Sequence, residues 1–274
     1  DPRGEFIAVG LELARRGDRS EREDPATKPL WDRFRELHAR NSAKWTKPLK
    51  ALGKPARWRW HRGFVTELRV NGWEAGCTPG NVGAVLATEP VTELSIEGCD
   101  PELLARLLAL PGVERVRRLA VSGWDASEGG AFLGRVVARA TRLTSVVELR
   151  LGVKLGDAGI LPLLDAEPLA SVVHLALGAP DASTETCAAL AASPLGQRLE
   201  VLEWLRERIE PALAKVLVTM PCLHTFVGSV GWVDGARDIL AQRFRDRFVV
   251  EAEQGTQYLI DGFKGVSHRP APKR

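Results

Sequence analysis

A chain of 274 residues that is 45% hydrophobic and 27% charged has the composition of a folded protein and lies far from the low-hydrophobicity, high-charge range of disordered polypeptides. Its length exceeds the usual single-domain mode, which leaves either two domains or one array that grows by repetition, and no run of about 18 apolar residues offers a membrane span. The net charge of +3 hides an asymmetry: residues 1–62 carry 16 Lys+Arg against 9 Asp+Glu, residues 63–242 carry 15 against 22, and residues 243–274 carry 7 against 4, so a basic head and tail flank an acidic body.

Taken in chain order, Glu5 to Arg16 has helical apolar spacing through Phe6, Val9, Leu11 and Leu13. A charged linker, R-G-D-R-S-E-R-E-D-P, comes next, and Leu30 to Trp45 forms a second amphipathic helix through Trp31, Phe34 and Leu37. Residues 1–62 therefore read as a small helical module. At its end R-W-R-W-H-R (57–62) interleaves cations and aromatics, a pattern that in principle stacks on nucleobases while Arg57, Arg59 and Arg62 neutralise phosphates. Capping is the stronger reading, because Trp58 and Trp60 stand immediately before the first strand of a repeating array, where an open sheet end needs cover.

From residue 63 onward one strand pattern recurs: V-T-E-L-R-V (65–70), V-T-E-L-S-I (91–96), V-R-R-L-A-V (116–121), V-V-E-L-R-L (146–151) and V-V-H-L-A-L (172–177). It continues in weaker form as L-E-V-L-E-W (199–204) and L-H-T-F-V-G (223–228). The central residues Leu68, Leu94, Leu119, Leu149, Leu175, Leu202 and Phe226 recur every 24 to 30 positions, a period that means stacked units. Between strands lie helical stretches such as P-E-L-L-A-R-L-L-A-L (101–110) and G-D-A-G-I-L-P-L-L (156–164), and then turns centred on Pro90, Pro111, Pro168 and Pro221, where proline stops a helix. From about Glu251 the pattern is lost, and a capping strand around Tyr258 to Ile260 is expected before a frayed basic tail.

The repeats resemble leucine-rich repeats, whose L-x-x-L-x-L-x-x-N/C consensus is matched by V-T-E-L-S-I-E-G-C, with Cys99 on the Asn/Cys position; Trp73 and Trp124 stand at that position in V-N-G-W and V-S-G-W, a departure from a regular asparagine ladder. L-G-D-A-G-I-L-P-L-L (155–164) is similar to repeats of the ribonuclease-inhibitor type. The opening D-P-R-G-E-F-I and the W-T-K-P-L segment before R-G-F-V-T-E-L resemble the repeat-companion domain that precedes leucine-rich repeats in bacterial paralogue families. In that family further helix-forming sequence precedes D-P-R-G-E-F-I. Together with Met220 as the only methionine, this leads us to expect that the chain is a piece of something longer.

The resemblance implies an α/β leucine-rich-repeat solenoid of about seven repeats over residues 63–250, with parallel strands on a concave face, helices on a convex face, a helical companion cap at 1–62 and a C-terminal cap and basic tail at 251–274. Alternation along each strand sends the neighbours of the buried leucine to the concave side. That surface then carries Glu67, Arg69, Glu93, Ser95, Arg118, Ala120, Glu148, Arg150, His174, Ala176, Val201 and Glu203. Its mixed charge suits a polar protein partner better than a phosphate backbone, and the acidic body would repel nucleic acid reaching along the array.

Chemistry-bearing motifs are absent: the sequence holds no Walker loop, no G-x-G-x-x-G after a strand, no H-E-x-x-H and no G-x-S-x-G, so no cofactor and no metal are expected. Cys77, Cys99, Cys187 and Cys222 lack metal-ligand spacing and read as reduced thiols in a cytoplasmic protein. No carboxylate partner for His174 is evident from the sequence, so it reads as a lone surface histidine. Arg16-Gly17-Asp18 reads as a coincidence in a charged loop. The expectation is a non-enzymatic interaction scaffold for another protein, with no membrane association. Two further readings remain: the recognition part of a larger enzyme or signalling protein, and a nucleic-acid binder acting through the basic head.

Overall fold

The computed structural model describes residues 1–16, 25–54, 56–61, 63–98, 100–123, 129–178, 182–204, 209–228, 235–245 and 248–250. The head begins with two packed neighbours, helix α1 (Pro2–Arg15), started by the Asp1 side chain accepting the Arg3 N–H, and helix α2 (Lys28–Trp45). Phe6, Leu37 and Trp45 are buried between them, and Phe34 stacks on Phe6 with ring centroids 4.2 Å apart. Leu11, expected on the apolar side of α1, is exposed; the buried positions are Phe6, Gly10 and Leu13, spaced by four and three, and Leu11 falls off that stripe. A single turn, α3 (Lys47–Lys50), comes after α2.

Arg57–His61 then forms a strand, β1, antiparallel to β2 (Phe64–Asn71). The head is therefore not wholly helical: its last residues belong to the sheet. Gly63 makes the reversal with φ +85°, and a Cβ there would come within 2.8 Å of Ile7, so glycine answers both the backbone conformation and the close pass of α1.

Beyond β2 the chain alternates helix and strand. In order come α4 (Pro79–Thr88), β3 (Glu93–Glu97), α5 (Pro101–Leu108), β4 (Arg118–Ser122), α6 (Gly129–Ala138), β5 (Glu148–Gly152), α7 (Asp157–Ile160) and β6 (His174–Leu177). Then come α8 (Thr184–Ala192), α9 (Pro194–Arg198), β7 (Val201–Trp204), α10 (Pro211–Leu217), β8 (Thr225–Gly228), α11 (Ala236–Phe244) and β9 (Phe248–Val250). The strands form one nine-stranded sheet in sequence order, parallel at every step after the first. A mixed α/β chain with a mostly parallel sheet is what the repeats lead one to expect. The 156–164 stretch is shorter in α-helix than its spacing suggests, because Pro162 turns it into a 3-10 segment after Ile160.

Register explains the repeat. Leu68, Leu94, Leu119, Leu149, Leu175, Leu202 and Phe226 are direct partners across successive strands, and Phe248 continues the row. All seven anchor side chains are buried, in one cluster with helix residues such as Leu86, Leu104, Leu133, Leu190 and Leu217, each worth about 1.5–3 kcal/mol of transfer free energy. Helix starts are set by local capping: the side chains of Thr78, Asp100, Ser183 and Ser193 accept the N–H of Asn81, Leu103, Thr186 and Gly196, and Pro79, Pro101 and Pro194 stand where the N–H would go unused. The expected strand at Tyr258 to Ile260, like Cys99, Trp124, the segment 17–24 and Arg62, lies outside the described residues.

Candidate functional site

Each strand buries its anchor among the helices, so the residues flanking it line the other face of the sheet in rows. One row runs Arg59, Glu67, Glu93, Arg118, Glu148, His174, Val201; the next runs Arg57, Arg69, Ser95, Ala120, Arg150, Ala176, Glu203. Every expected site residue that the structure describes lies in these two rows. A third row, Asn71, Glu97 and Ser122, was missed; the signal was present, since Glu97 lies four residues beyond Glu93 and so faces the same side.

Exposure on this face is uneven. Arg59 and Arg118 keep 61% and 37% of their side chains accessible, whereas Arg150 keeps 12% and Glu203 only 9%. Small residues make this possible. Ala176 on β6 stands between Arg150 on β5 and Glu203 on β7, and its methyl leaves room for the guanidinium to pass over the middle strand and bind both carboxylate oxygens, at 3.0 and 2.9 Å. The Arg150 Nε also donates to Glu148 at 2.6 Å. Bidentate Arg–carboxylate pairs of this sort are the strong, orientation-specific kind.

His174 belongs to the same group, which corrects its reading as a lone surface histidine. Its Nε2 is 2.6 Å from Glu203 Oε1, and its Nδ1 lies 3.9 Å from Glu148. Parallel register brings together residues that are 29 positions apart in the chain, a juxtaposition no local spacing announces. Burial opposes ionisation of Glu203, but the His174 hydrogen bond and the Arg150 charge hold its carboxyl below the usual carboxylate range. Burial likewise works against the Arg150 charge, and the two carboxylates outweigh it, raising its proton affinity.

Across β1 to β4 the pairs are shorter in reach. Arg59 meets Glu67 at 3.1 Å, Arg69 meets Glu97 at 2.7 Å, and Arg118 meets Glu93. Glu67 and Glu93 are direct register partners, so two like charges stand side by side, and the Oε2 of each is buried without a well-aligned hydrogen bond, the one on Glu67 being the oxygen that meets Arg59 at 3.1 Å.

The R-W-R-W-H segment separates into two sides. Arg57, Arg59 and His61 are exposed, while Trp58 and Trp60 are half-buried and pack against the core. Trp60 also meets the edge of Phe6 at 6.4 Å and lies under the Arg3 guanidinium. Trp60 thus joins the head to the sheet, while Trp58 packs against the core of the sheet. Arg3 completes that joint, donating to both oxygens of the buried Glu89 at 2.6 and 2.7 Å while Glu89 accepts the Val65 N–H. Trp73 is 67% exposed with its indole against Gly98, whose φ of +54° admits no side chain there; no core ladder residue occupies that position.

Among the described residues no group of three or more His, Cys, Asp or Glu is arranged to hold a metal ion. Cys77 and Cys187 are buried and Cys222 exposed, all as free thiols; burial pushes the Cys77 thiol up. No described helix is long and apolar enough to cross a membrane. The fold and the site together define a mixed α/β protein with a mostly parallel sheet, one face of which carries rows of charged residues. Comparison with protein-family models gives no match to this chain, and comparison with curated proteins gives none.

Proposed function

We propose that the chain is a leucine-rich-repeat-type solenoid that acts as a non-catalytic scaffold, binding another protein across the charged face of its sheet. The observation that carries this reading is the register: two rows of mostly polar side chains are fixed on one surface by strands whose opposite side is committed to the core. A surface so held loses little conformational freedom when a partner lands on it. Arg57, Arg59 and Arg118 are accessible cations of the face, and the carboxylates of Glu67 and Glu93 beside them favour a partner that brings both signs of charge.

The test is capture of binding proteins on immobilised chain, repeated with Arg59→Glu/Arg118→Glu and with hydrogen-exchange mass spectrometry of the complex. A protein released at least tenfold by the double variant, with new protection confined to β2–β5, is the expected result. Equal retention by the variant, or protection only on the helices, would sink the assignment to this face.

A further inference from the structure

The head carries a second, independent surface. From residue 37 to residue 66 the sequence holds eight Lys or Arg and no Asp or Glu, a composition found nowhere else along the chain for that length. The structure shows where four of these cations go. Helix α2 runs into α3 with little interruption: Thr46 between them keeps right-handed helical backbone, its N–H donates to Ser42 O at 2.8 Å and its carbonyl accepts the Lys50 N–H at 2.9 Å. Arg40, Lys44, Lys47 and Lys50 are all exposed. At 3.6 residues per turn they fall within about a third of the helix circumference, over roughly 15 Å of its length. Arg40 shares its charge with Glu36 at 2.9 Å; Lys44, Lys47 and Lys50 have no carboxylate partner among the described residues. Lys54 extends the basic surface toward β1.

We infer that this stripe binds the phosphate backbone of a nucleic-acid duplex without reading its sequence. A straight row of four cations, three of them without a carboxylate partner among the described residues, matches a rigid rod of evenly spaced phosphates, whose condensed counterions are released on contact. An acidic membrane is a poorer match, because the apolar side of this helix, through Leu37, Trp45 and Leu49, is spent inside the protein and leaves nothing to insert. The half-buried Trp58 and Trp60 offer no platform for unpaired bases, which favours duplex over single strand. The acidic body, with 22 Asp+Glu against 15 Lys+Arg over residues 63–242, confines the footprint to the head.

The experiment is fluorescence anisotropy of the full chain with a labelled duplex of about 20 base pairs and arbitrary sequence; four phosphate contacts predict roughly 100-fold weaker binding at 200 mM than at 50 mM salt. The Lys44→Gln/Lys47→Gln/Lys50→Gln variant keeps its helical circular dichroism and thermal midpoint and loses at least tenfold in affinity. Arg118→Glu, on the sheet face, stays within twofold of the parent, so failure here and failure of the scaffold reading are separate events. No binding at 50 mM salt, an unchanged triple variant, or tighter binding to anionic phospholipid vesicles or to polyglutamate than to the duplex would each overturn the assignment.

Discussion

Across β5 to β7 the charged face closes over itself, whereas across β1 to β4 it consists of nearest-neighbour pairs. In the first region one guanidinium spans two strand steps above Ala176, ties Glu148 to Glu203 and leaves little of either accessible. In the second Arg59, Arg69 and Arg118 each meet a carboxylate on the adjacent strand, Arg59 and Arg118 stay open to solvent, and Glu67 faces Glu93. The same fold and the same alternation produce both. What differs is one small side chain at the right register position and the burial it permits, and burial decides how much a charge pair is worth.

The largest effect that separates the two regions is expected at Arg150. Arg150→Met leaves Glu148 and Glu203 buried without their cation and should cost about 3–5 kcal/mol, read as a fall in the urea midpoint at unchanged slope. Arg59→Met, at a 61% exposed site, should cost less than about 1 kcal/mol. Equal losses would erase the distinction between a closed and an open region. Next in size, Ala176→Leu fills the space through which the guanidinium passes and should cost about 1–3 kcal/mol by overpacking. A crystal structure of that variant is expected to show Arg150 displaced from Glu203.

Whether a feature was legible in the sequence turns on the physical cause behind it. The anchor leucines could be read because burial repeats with the unit, and the structure aligns them with no register shift. Their faces could be read because strand alternation is obligatory. The Arg150–Glu203 pair could not: its members are 53 residues apart, and their meeting depends on two intervening connections of unequal length returning the chain to the same register. Nor could β1, which is too rich in arginine and tryptophan to resemble the other strands, and which owes its place to pairing along Phe64–Asn71 and to two tryptophans that pack against the core. The 3-10 ending of α7 was foreshadowed by Pro162, read only as part of a helical run.

Acid sensitivity should fall mostly on the closed region. The Glu203 carboxyl titrates below its ordinary value of 4.5 in the folded chain, so on acidification the unfolded chain takes up that proton first. The resulting stability is fully present above about pH 4.5 and is lost as pH falls through the lowered native value. Glu203→Gln should flatten this part of the acid limb in a series of urea titrations between pH 7 and pH 3, at the cost of a lower plateau near neutrality. An acid limb of unchanged steepness in the variant would place the sensitivity elsewhere.

The smallest and most discriminating effect is expected at Glu67. Its carboxylate faces that of Glu93 across the strand pair, and each has an oxygen buried without a well-aligned hydrogen bond, an arrangement that costs free energy wherever like charges stand opposite in a sheet. Its only cation among the described residues is Arg59, held at 3.1 Å but mostly in water, where a pair contributes about 0–1 kcal/mol. Neutralising Glu67 removes both terms, and the repulsion lies in the less solvated place. Glu67→Gln should therefore leave stability unchanged or raise it by about 0.5 kcal/mol, with added salt narrowing the gap between parent and variant. A loss above about 1 kcal/mol would mean that Arg59 and Glu67 act as a second clasp, and that the open region is held as tightly as the one around Arg150.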